Sequence, residues 1–281
     1  MTKVNFTKMQ GLGNDFIILD FEEYNKLGTD KAVLAKKLCN RNFGIGADGL
    51  IIINPETDKT DIGWFFYNSD GSVAQMCGNG MRCFAKYVWE QGLVDGNEFS
   101  VDTKAGVIIP KVNKDGSVTV NMNKPVLQPS LIPVRAQNSV NIELKIQNKK
   151  FTVNAVSMGN PHCVIFTEED TKECALKYGS DIEKNEIFPE KTNVEFVKVL
   201  SRSEINLDVW ERGCGITLAC GTGACASVVA GILNGLLDNK VKVNLPGGVL
   251  CIEWEGSASD KDKNIYMSGP AEYSFRGQIE L

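Results

Sequence analysis

The sequence predicts a mixed α/β (α+β) chain built from two pseudo-symmetric homologous halves, each a set of short strands wrapped around a central buried helix. Three observations carry this expectation. The pattern Cys-Gly-x-Gly occurs twice, as Cys77-Gly78-Asn79-Gly80 and Cys220-Gly221-Thr222-Gly223. The same landmarks surround both copies in the same order. Each copy opens a helical apolar run, whereas most other apolar segments are short and bounded by turn residues.

The landmarks are specific. Fifteen residues after each Cys stands Gly-Leu, at Gly92-Leu93 and Gly235-Leu236. Nine residues before each Cys a polar side chain follows an aromatic one, at Tyr67-Asn68 and Trp210-Glu211. Gly13-Asn14-Asp15-Phe16 matches Gly159-Asn160-Pro161-His162, with Asn14 and Asn160 lying 63 and 60 residues ahead of their cysteines. Ala105-Gly106-Val107 parallels Gly247-Gly248-Val249, and Met122-Asn123-Lys124-Pro125 parallels Met267-Ser268-Gly269-Pro270. The halves are read as 1–122 together with the tail 268–281, and 123–267.

In chain order, Phe16–Leu19, Leu50–Ile53, Trp64–Tyr67, Val107–Ile109 and Val118–Val120 read as strands: each is a short apolar or β-branched run closed by turn residues. Asp30 to Asn40 reads as a helix, with Val33, Leu34, Lys37 and Leu38 near helical period. After Cys77, residues Met81, Phe84, Ala85 and Val88 fall at i, i+3, i+4 and i+7, and Gly92 is placed to stop the helix. The run after Cys220 is apolar nearly all round, which predicts enclosure.

Composition narrows the function. Lys plus Arg is 30 and Asp plus Glu is 35, a net charge of −5, so no basic footprint for nucleic acid or anionic lipid exists. No apolar run reaches 18 residues, and Met1 to Phe6 lacks a signal-peptide pattern, which sets a cytoplasmic expectation. A single His, His162, excludes multi-His metal sites, and nine cysteines without any CxxC argue against a disulfide scaffold or structural zinc. Metal is therefore expected to be none. Gly44-Ile45-Gly46-Ala47-Asp48-Gly49 spells a dinucleotide fingerprint, but it follows a helix and precedes a strand, the reverse of what that motif needs.

A cysteine at the mouth of a helix meets unpaired N–H groups and the positive end of the macrodipole, which favour a thiolate. Two such cysteines related by a repeat would face each other if the halves pack about a pseudo-twofold axis. A thiolate base on one face of a carbon and a thiol acid on the other suit two-base racemisation or epimerisation. Cys39, Cys83, Cys163, Cys174, Cys214, Cys225 and Cys251 read as structural.

The set Met76-Cys77-Gly78-Asn79-Gly80-Met81-Arg82-Cys83, Glu211-Arg212-Gly213, Ala219-Cys220-Gly221-Thr222-Gly223-Ala224, Gly159-Asn160-Pro161-His162 and Lys8-Met9-Gln10-Gly11-Leu12-Gly13-Asn14-Asp15-Phe16 resembles diaminopimelate epimerase over the whole chain. The resemblance implies the diaminopimelate-epimerase-like fold, a curved and mostly antiparallel sheet around a buried helix in each half, with the active site in the cleft between them. It implies a cofactor-independent isomerase acting on LL- and meso-diaminopimelate in lysine and peptidoglycan precursor synthesis, with Cys77 and Cys220 as acid and base. It further implies that the amides of Gly78, Asn79, Gly221 and Thr222 hold the reacting carboxylate. Asn14, Asn68, Asn160, Asn193, Glu211 and Arg212 would hold the amines and the distal carboxylate, and His162 and Glu211 would adjust the thiols. A homodimer with Tyr266 at its interface follows from the same resemblance. Where some members carry a Gln, this chain has Gly49. The rival expectations are a related racemase or isomerase of the proline racemase kind, and a thiol redox or binding protein using the two cysteines as a switchable disulfide.

Overall fold

The computed structural model describes residues 2–74 and 76–281. The chain divides into two compact units, Met1–Val120 with Gly269–Leu281, and Asn121–Ser268.

The first unit opens with β1 (Lys3–Gly11), β2 (Asn14–Leu19), α1 (Phe21–Asn25) and α2 (Lys31–Cys39). It continues with β3 (Gly49–Asn54), β4 (Ile62–Asn68), α3 (Gly78–Glu90), β5 (Val101–Thr103), β6 (Gly106–Ile108), and a hairpin of β7 (Pro110–Val112) with β8 (Val118–Asn121). The strand expected over Val107–Ile109 is thus split: Ile109 falls between β6 and β7, and it and Val107 are exposed. Asp30 caps α2 through the amides of Ala32 and Val33, which fixes where that helix begins.

The second unit holds a 3₁₀ turn at Pro129–Leu131, then β9 (Ile142–Ile146), β10 (Lys149–Ser157), β11 (Pro161–Phe166), α4 (Thr171–Glu183), β12 (Asn193–Ser201) and β13 (Glu204–Glu211). Then come β14 (Gly215–Ile216), α5 (Gly221–Leu233), β15 (Lys240–Leu245), β16 (Gly248–Trp254) and β17 (Ile265–Gly269). The chain ends in β18 (Glu272–Glu280), which pairs antiparallel with β1.

The repeat is visible as topology. In the first unit β1·β2 are antiparallel, β2·β3 parallel, β3·β4 antiparallel, β4·β5 parallel and β5·β6 antiparallel. In the second, β10·β11, β11·β12, β12·β13, β13·β15 and β15·β16 follow the same alternation. β18 flanks β1 as β9 flanks β10.

Each central sheet is covered on both faces, which is why β3 reads as an unbroken run, Leu50-Ile51-Ile52-Ile53, all buried. One face packs Ile17, Leu19, Leu50 and Ile52 against Leu34, Ala35 and Leu38 of α2. The opposite face carries Phe16 and Ile51, which lie under Gly80 of α3. In the second unit α4 covers β11 and β12 through Cys174, Ala175, Tyr178 and Ile182, while α5 packs on β10, β11, β12 and β16. As its composition predicts, α5 is buried from Gly223 through Ile232. Each fully buried aliphatic side chain stabilises by about 1.5–3 kcal/mol relative to exposure.

Both central helices end alike. Gly92 and Gly235 take φ of +67° and +69°. The amides of Gly92 and Leu93 bond back to Trp89 and Val88, and those of Gly235 and Leu236 to Ile232 and Gly231. This is a Schellman closure, which needs a left-handed residue and so explains the repeated Gly-Leu.

Candidate active site

In the first unit Cys77 is the N-cap of α3, with extended φ and ψ of −142° and 120°. The first amides of any helix lack partners within it, so those of Gly78, Asn79 and Gly80 open toward the residues around the Cys77 thiol. The thiol donates to Asn14 Oδ1 at 3.6 Å, and Asn79 Nδ2 donates to the same oxygen at 3.2 Å. Asn14 Nδ2 in turn donates to Asp48 Oδ2 at 2.6 Å, which fixes the amide so that its oxygen faces the thiol.

Behind Asn14 lies a charge network. Arg41 bridges Asp15 and Asp48, and Lys8 is 2.9 Å from Asp15. Lys8 also donates to the Gly46 carbonyl. Burial pushes the Asp15 carboxyl up, but its bonds to Arg41 and Lys8 outweigh that and hold it below the ordinary value. Asn14, Asp48, Asn68, Phe16, Phe66 and Cys77 line a cavity of about 360 Å³. Asn68 is braced there by Ser72, which accepts from its Nδ2 at 2.9 Å.

In the second unit Cys220 is the N-cap of α5, and Gly223 N–H donates to its sulfur at 3.4 Å. Thr222 Oγ1 lies 3.5 Å from the same sulfur. Burial pushes the Cys220 thiol well above its ordinary value, and the carboxylates of Glu211 and Glu195 push in the same direction. The Thr222 hydroxyl and Gly223 amide pull the other way and lose. The helix-mouth argument alone anticipates the opposite direction; here removal from water and two nearby carboxylates outweigh the dipole, leaving Cys220 a thiol.

His162 and Glu195 are both fully buried beside Cys220. His162 Nδ1 lies 2.7 Å from Glu195 Oε1, and Nε2 lies 2.9 Å from Asn160 Oδ1. Asn160 Nδ2 reaches Thr222 Oγ1 at 3.4 Å. Ligand atoms of His162, Glu195 and Cys220 all fall within 4.8 Å of one another. A cation could bridge such a set, but both ring nitrogens already have hydrogen-bond partners, so the arrangement suits proton handling better. Glu195 Oε2 is buried without a hydrogen-bond partner among the described residues, a state that costs about 1–3 kcal/mol and more for a charged group.

Glu211 Oε1 accepts from Thr217 Oγ1 at 2.5 Å. Arg212 is exposed, with its amide donating to Asn193 Oδ1 at 2.9 Å and Nη1 to the Glu190 carbonyl at 3.1 Å. Asn193 Nδ2 donates to the Pro161 carbonyl, so its buried carboxamide bridges two backbone segments and holds Arg212 in place.

Against known proteins, the family model described as diaminopimelate epimerase matches residues 6–128 and 154–274. The chain is 49% identical to a diaminopimelate epimerase from Halothermothrix orenii, over 99% of each chain. It is 48% identical to another from Carboxydothermus hydrogenoformans, over 99% of this chain and all of the relative.

This chain belongs to the diaminopimelate epimerase family.

Solved structures more distant than that family share the fold. A PhzF-family phenazine biosynthesis protein from Bacillus anthracis superposes with a TM-score of 0.71 at 13% identity, over the whole of both chains. A hydroxyproline epimerase from Agrobacterium vitis gives 0.68 at 12%, over 99% of this chain and 93% of that one.

Within each unit the structure gathers the residues that the family resemblance singles out: Asn14, Asn68, Cys77, Gly78 and Asn79 in the first, and Asn160, His162, Asn193, Glu211, Arg212, Cys220, Gly221 and Thr222 in the second. Tyr266 lies on β17 opposite Glu253 of β16. At Gly49 a Cβ would lie 2.7 Å from the Phe66 ring and 2.9 Å from the Tyr67 carbonyl, so Phe66 occupies the space a side chain there would need. Two residues escaped sequence reasoning. Asp48, which orients Asn14, lies inside the Gly-x-Gly-x-x-Gly segment, whose spelling points only to a dinucleotide motif. Glu195 lies in Asn193-Val194-Glu195-Phe196-Val197, and a carboxylate within such an apolar strand was the available signal, because an unpaired buried charge is costly.

Proposed function

We propose that this protein is a cofactor-independent two-base epimerase that interconverts LL-2,6-diaminopimelate and meso-2,6-diaminopimelate, on the route to lysine and peptidoglycan precursors. Family membership over nearly the full chain supports the substrate. One observation supports the chemistry above all others: the same residue, cysteine, caps the buried central helix of each half.

In the forward step one cysteine, as thiolate, takes the α-proton, and the C–H electron pair stays on the substrate carbon. The carbanion is delocalised into the adjacent carboxylate, whose charge the opening amides Gly78, Asn79, Gly221 and Thr222 can accept. The other cysteine, as thiol, delivers its proton to the opposite face and becomes the thiolate. Protons and charge balance, and the reaction calls for no redox partner. Because Cys220 is held as a thiol by burial, Glu211 and Glu195, we assign it the acid role in the forward step, with Cys77 the base once the proton it donates to Asn14 Oδ1 has left to solvent.

Diaminopimelate carries two ammonium and two carboxylate groups. Asn14, Asn68 and Asn160 offer amide oxygens to ammonium, the Arg212 guanidinium suits the distal carboxylate, and Glu211 completes the charge match. Asn193 serves by holding Arg212. We further propose a cytoplasmic homodimer with Tyr266 at its interface; the nine free thiols fit a reducing compartment.

The test is α-proton exchange in deuterium oxide with LL-diaminopimelate and no added cofactor. Deuterium should enter at one centre as the meso form accumulates. Cys77→Ser and Cys220→Ser should each lose at least about 10²-fold in rate. Exchange with proline-like substrates only would redirect the assignment, and full activity in either serine variant would end the two-base scheme.

A further inference from the structure

The repeat invites a position-by-position comparison of what lies beneath each catalytic helix. Phe16 and His162 stand two residues after the related Asn14 and Asn160. In the first unit Phe16 pairs with Gly49 and Ile18 with Ile51. In the second, His162 pairs with Asn193 and Val164 with Glu195. By register, then, Phe16 corresponds to His162, and Ile51 to Glu195.

The helices rest on these pairs. A Cβ added at Gly80 would meet Phe16 ring carbons at 3.4 Å and Ile51 Cδ1 at 3.6 Å. A Cβ added at Gly223 would meet Glu195 Oε1 at 2.7 Å and Cys220 Sγ at 3.2 Å. An apolar cushion in one half is thus replaced in the other by an imidazole–carboxylate pair that is wholly shut off from water.

We infer that Glu195 is a positioning residue of the epimerase site, acting through His162 to orient Asn160 and Thr222 around Cys220. The chain of contacts is continuous: Glu195 Oε1 to His162 Nδ1, His162 Nε2 to Asn160 Oδ1, Asn160 Nδ2 to Thr222 Oγ1, and Thr222 Oγ1 to the sulfur. An acceptor oxygen faces each ring nitrogen. Both contacts are hydrogen bonds at once only when each nitrogen carries its hydrogen, or when the Glu195 carboxyl carries one. The Phe16–Ile51 pair of the first unit offers no such polar contact. Among the described residues Glu195 Oε2 has no hydrogen-bond partner, so packing stability alone does not account for a carboxylate here. It lies beneath the first turn of α5, where the positive end of the helix dipole favours its charge.

This inference rests on the epimerase reading, and the test separates the two. The chain has one histidine, so side-chain ¹⁵N–¹H spectra report His162 without assignment and without turnover. In the unaltered protein the Nδ1–H resonance should be strongly downfield, and in Glu195→Gln it should move upfield or exchange away. Glu195→Gln should lower kcat at least tenfold, leave KM within about threefold and shift the pH profile of kcat, while Glu195→Asp should recover part of the loss. Folding of each variant is checked by thermal melting. An unchanged His162 spectrum in a folded Glu195→Gln protein overturns the inference, as does kcat within twofold of the unaltered protein. Failure of the unaltered protein to exchange the α-proton of diaminopimelate would instead overturn the epimerase reading, while the spectra still decide the Glu195–His162 contact.

Discussion

Alanine at the third residue of each central helix separates two roles that the repeat makes look identical. Gly80 and Gly223 are both helical and outside the positive-φ set, so the backbone itself accepts alanine, and replacing a first-turn glycine gains at most the mid-helix value of about 0.5–1 kcal/mol. At Gly80 the new methyl meets ring carbons at 3.4 Å, ordinary contact. Gly80→Ala should therefore be neutral or up to about 1 kcal/mol more stable, with more than half its activity. At Gly223 the methyl would collide with the Glu195 carboxylate at 2.7 Å and crowd Cys220 Sγ at 3.2 Å. Glu195 is fully buried and bonded to His162, so its carboxylate cannot move aside without disturbing that contact. Overpacking of this kind costs about 1–3 kcal/mol, which leaves Gly223→Ala destabilised by roughly 0–2.5 kcal/mol after the helix gain. The larger effect falls on catalysis. A displacement of about 1 Å at a reacting group is worth about 10²-fold in rate, so a shift of a few tenths of an ångström should cost about 3–10-fold. Urea unfolding and the initial rate of epimerisation, measured side by side, decide the matter. Equal losses in the two variants, or full activity in Gly223→Ala, would refute the packing argument.

Three further outcomes are expected. Burial holds the thiols of Cys39 and Cys83 up at about 12 against an ordinary value of 9.0. The unfolded chain therefore ionises first as pH rises, and stability present below pH 9 should fall by about 1.4 kcal/mol per pH unit for each thiol as pH climbs toward 12; urea midpoints under reductant that stay flat from pH 8.5 to 10.5 would contradict this. Gly92→Ala and Gly235→Ala meet no atom within 4 Å, so each should cost only the left-handed backbone penalty of about 1–2 kcal/mol, equal in the two halves by thermal melting. Asp48→Ala removes the acceptor that orients Asn14 and should raise KM several-fold with little change in melting temperature; an unchanged KM would remove Asp48 from the site.

Much of the architecture was legible because the repeat turned weak motifs into a pattern. Cys-Gly-x-Gly alone says little, but its fixed spacing to Gly-Leu marks a helix of known length, and the structure gives both glycines the left-handed closure that such spacing needs. The apolar runs Phe16–Leu19 and Leu50–Ile53 named their strands because both faces are covered. What stayed hidden depends on through-space partners. Ile109 looks like strand continuation, yet the chain turns there between two short hairpins. Cys220 looks like a depressed thiol from its place at the helix mouth, yet the deciding factors are its burial and two carboxylates, one of them 25 residues upstream on another strand. Glu195 carries no motif; its meaning comes only from the parallel register that brings it under α5 beside His162.

The positions where the halves agree and disagree sort by chemistry. Both keep a cysteine at the helix mouth, an asparagine ahead of it and a glycine-closed helix, the features on which the proposed two-base chemistry draws. They part at four register-related pairs: Gly49 and Asn193, Asn68 and Glu211, Phe16 and His162, Ile51 and Glu195. A substrate whose reacting centre bears one long arm cannot meet two identical walls, so the residues that would grip that arm need exist on one side only. Gly49 fits this, since Phe66 fills the space its counterpart Asn193 uses to hold Arg212. In the proposed proton cycle one sulfur is bare while the other is protonated, and the two exchange states at each turnover. A buried carboxylate under one helix and a hydrocarbon cushion under the other give the two sulfurs different surroundings, a difference on which the acid and base roles proposed for them draw.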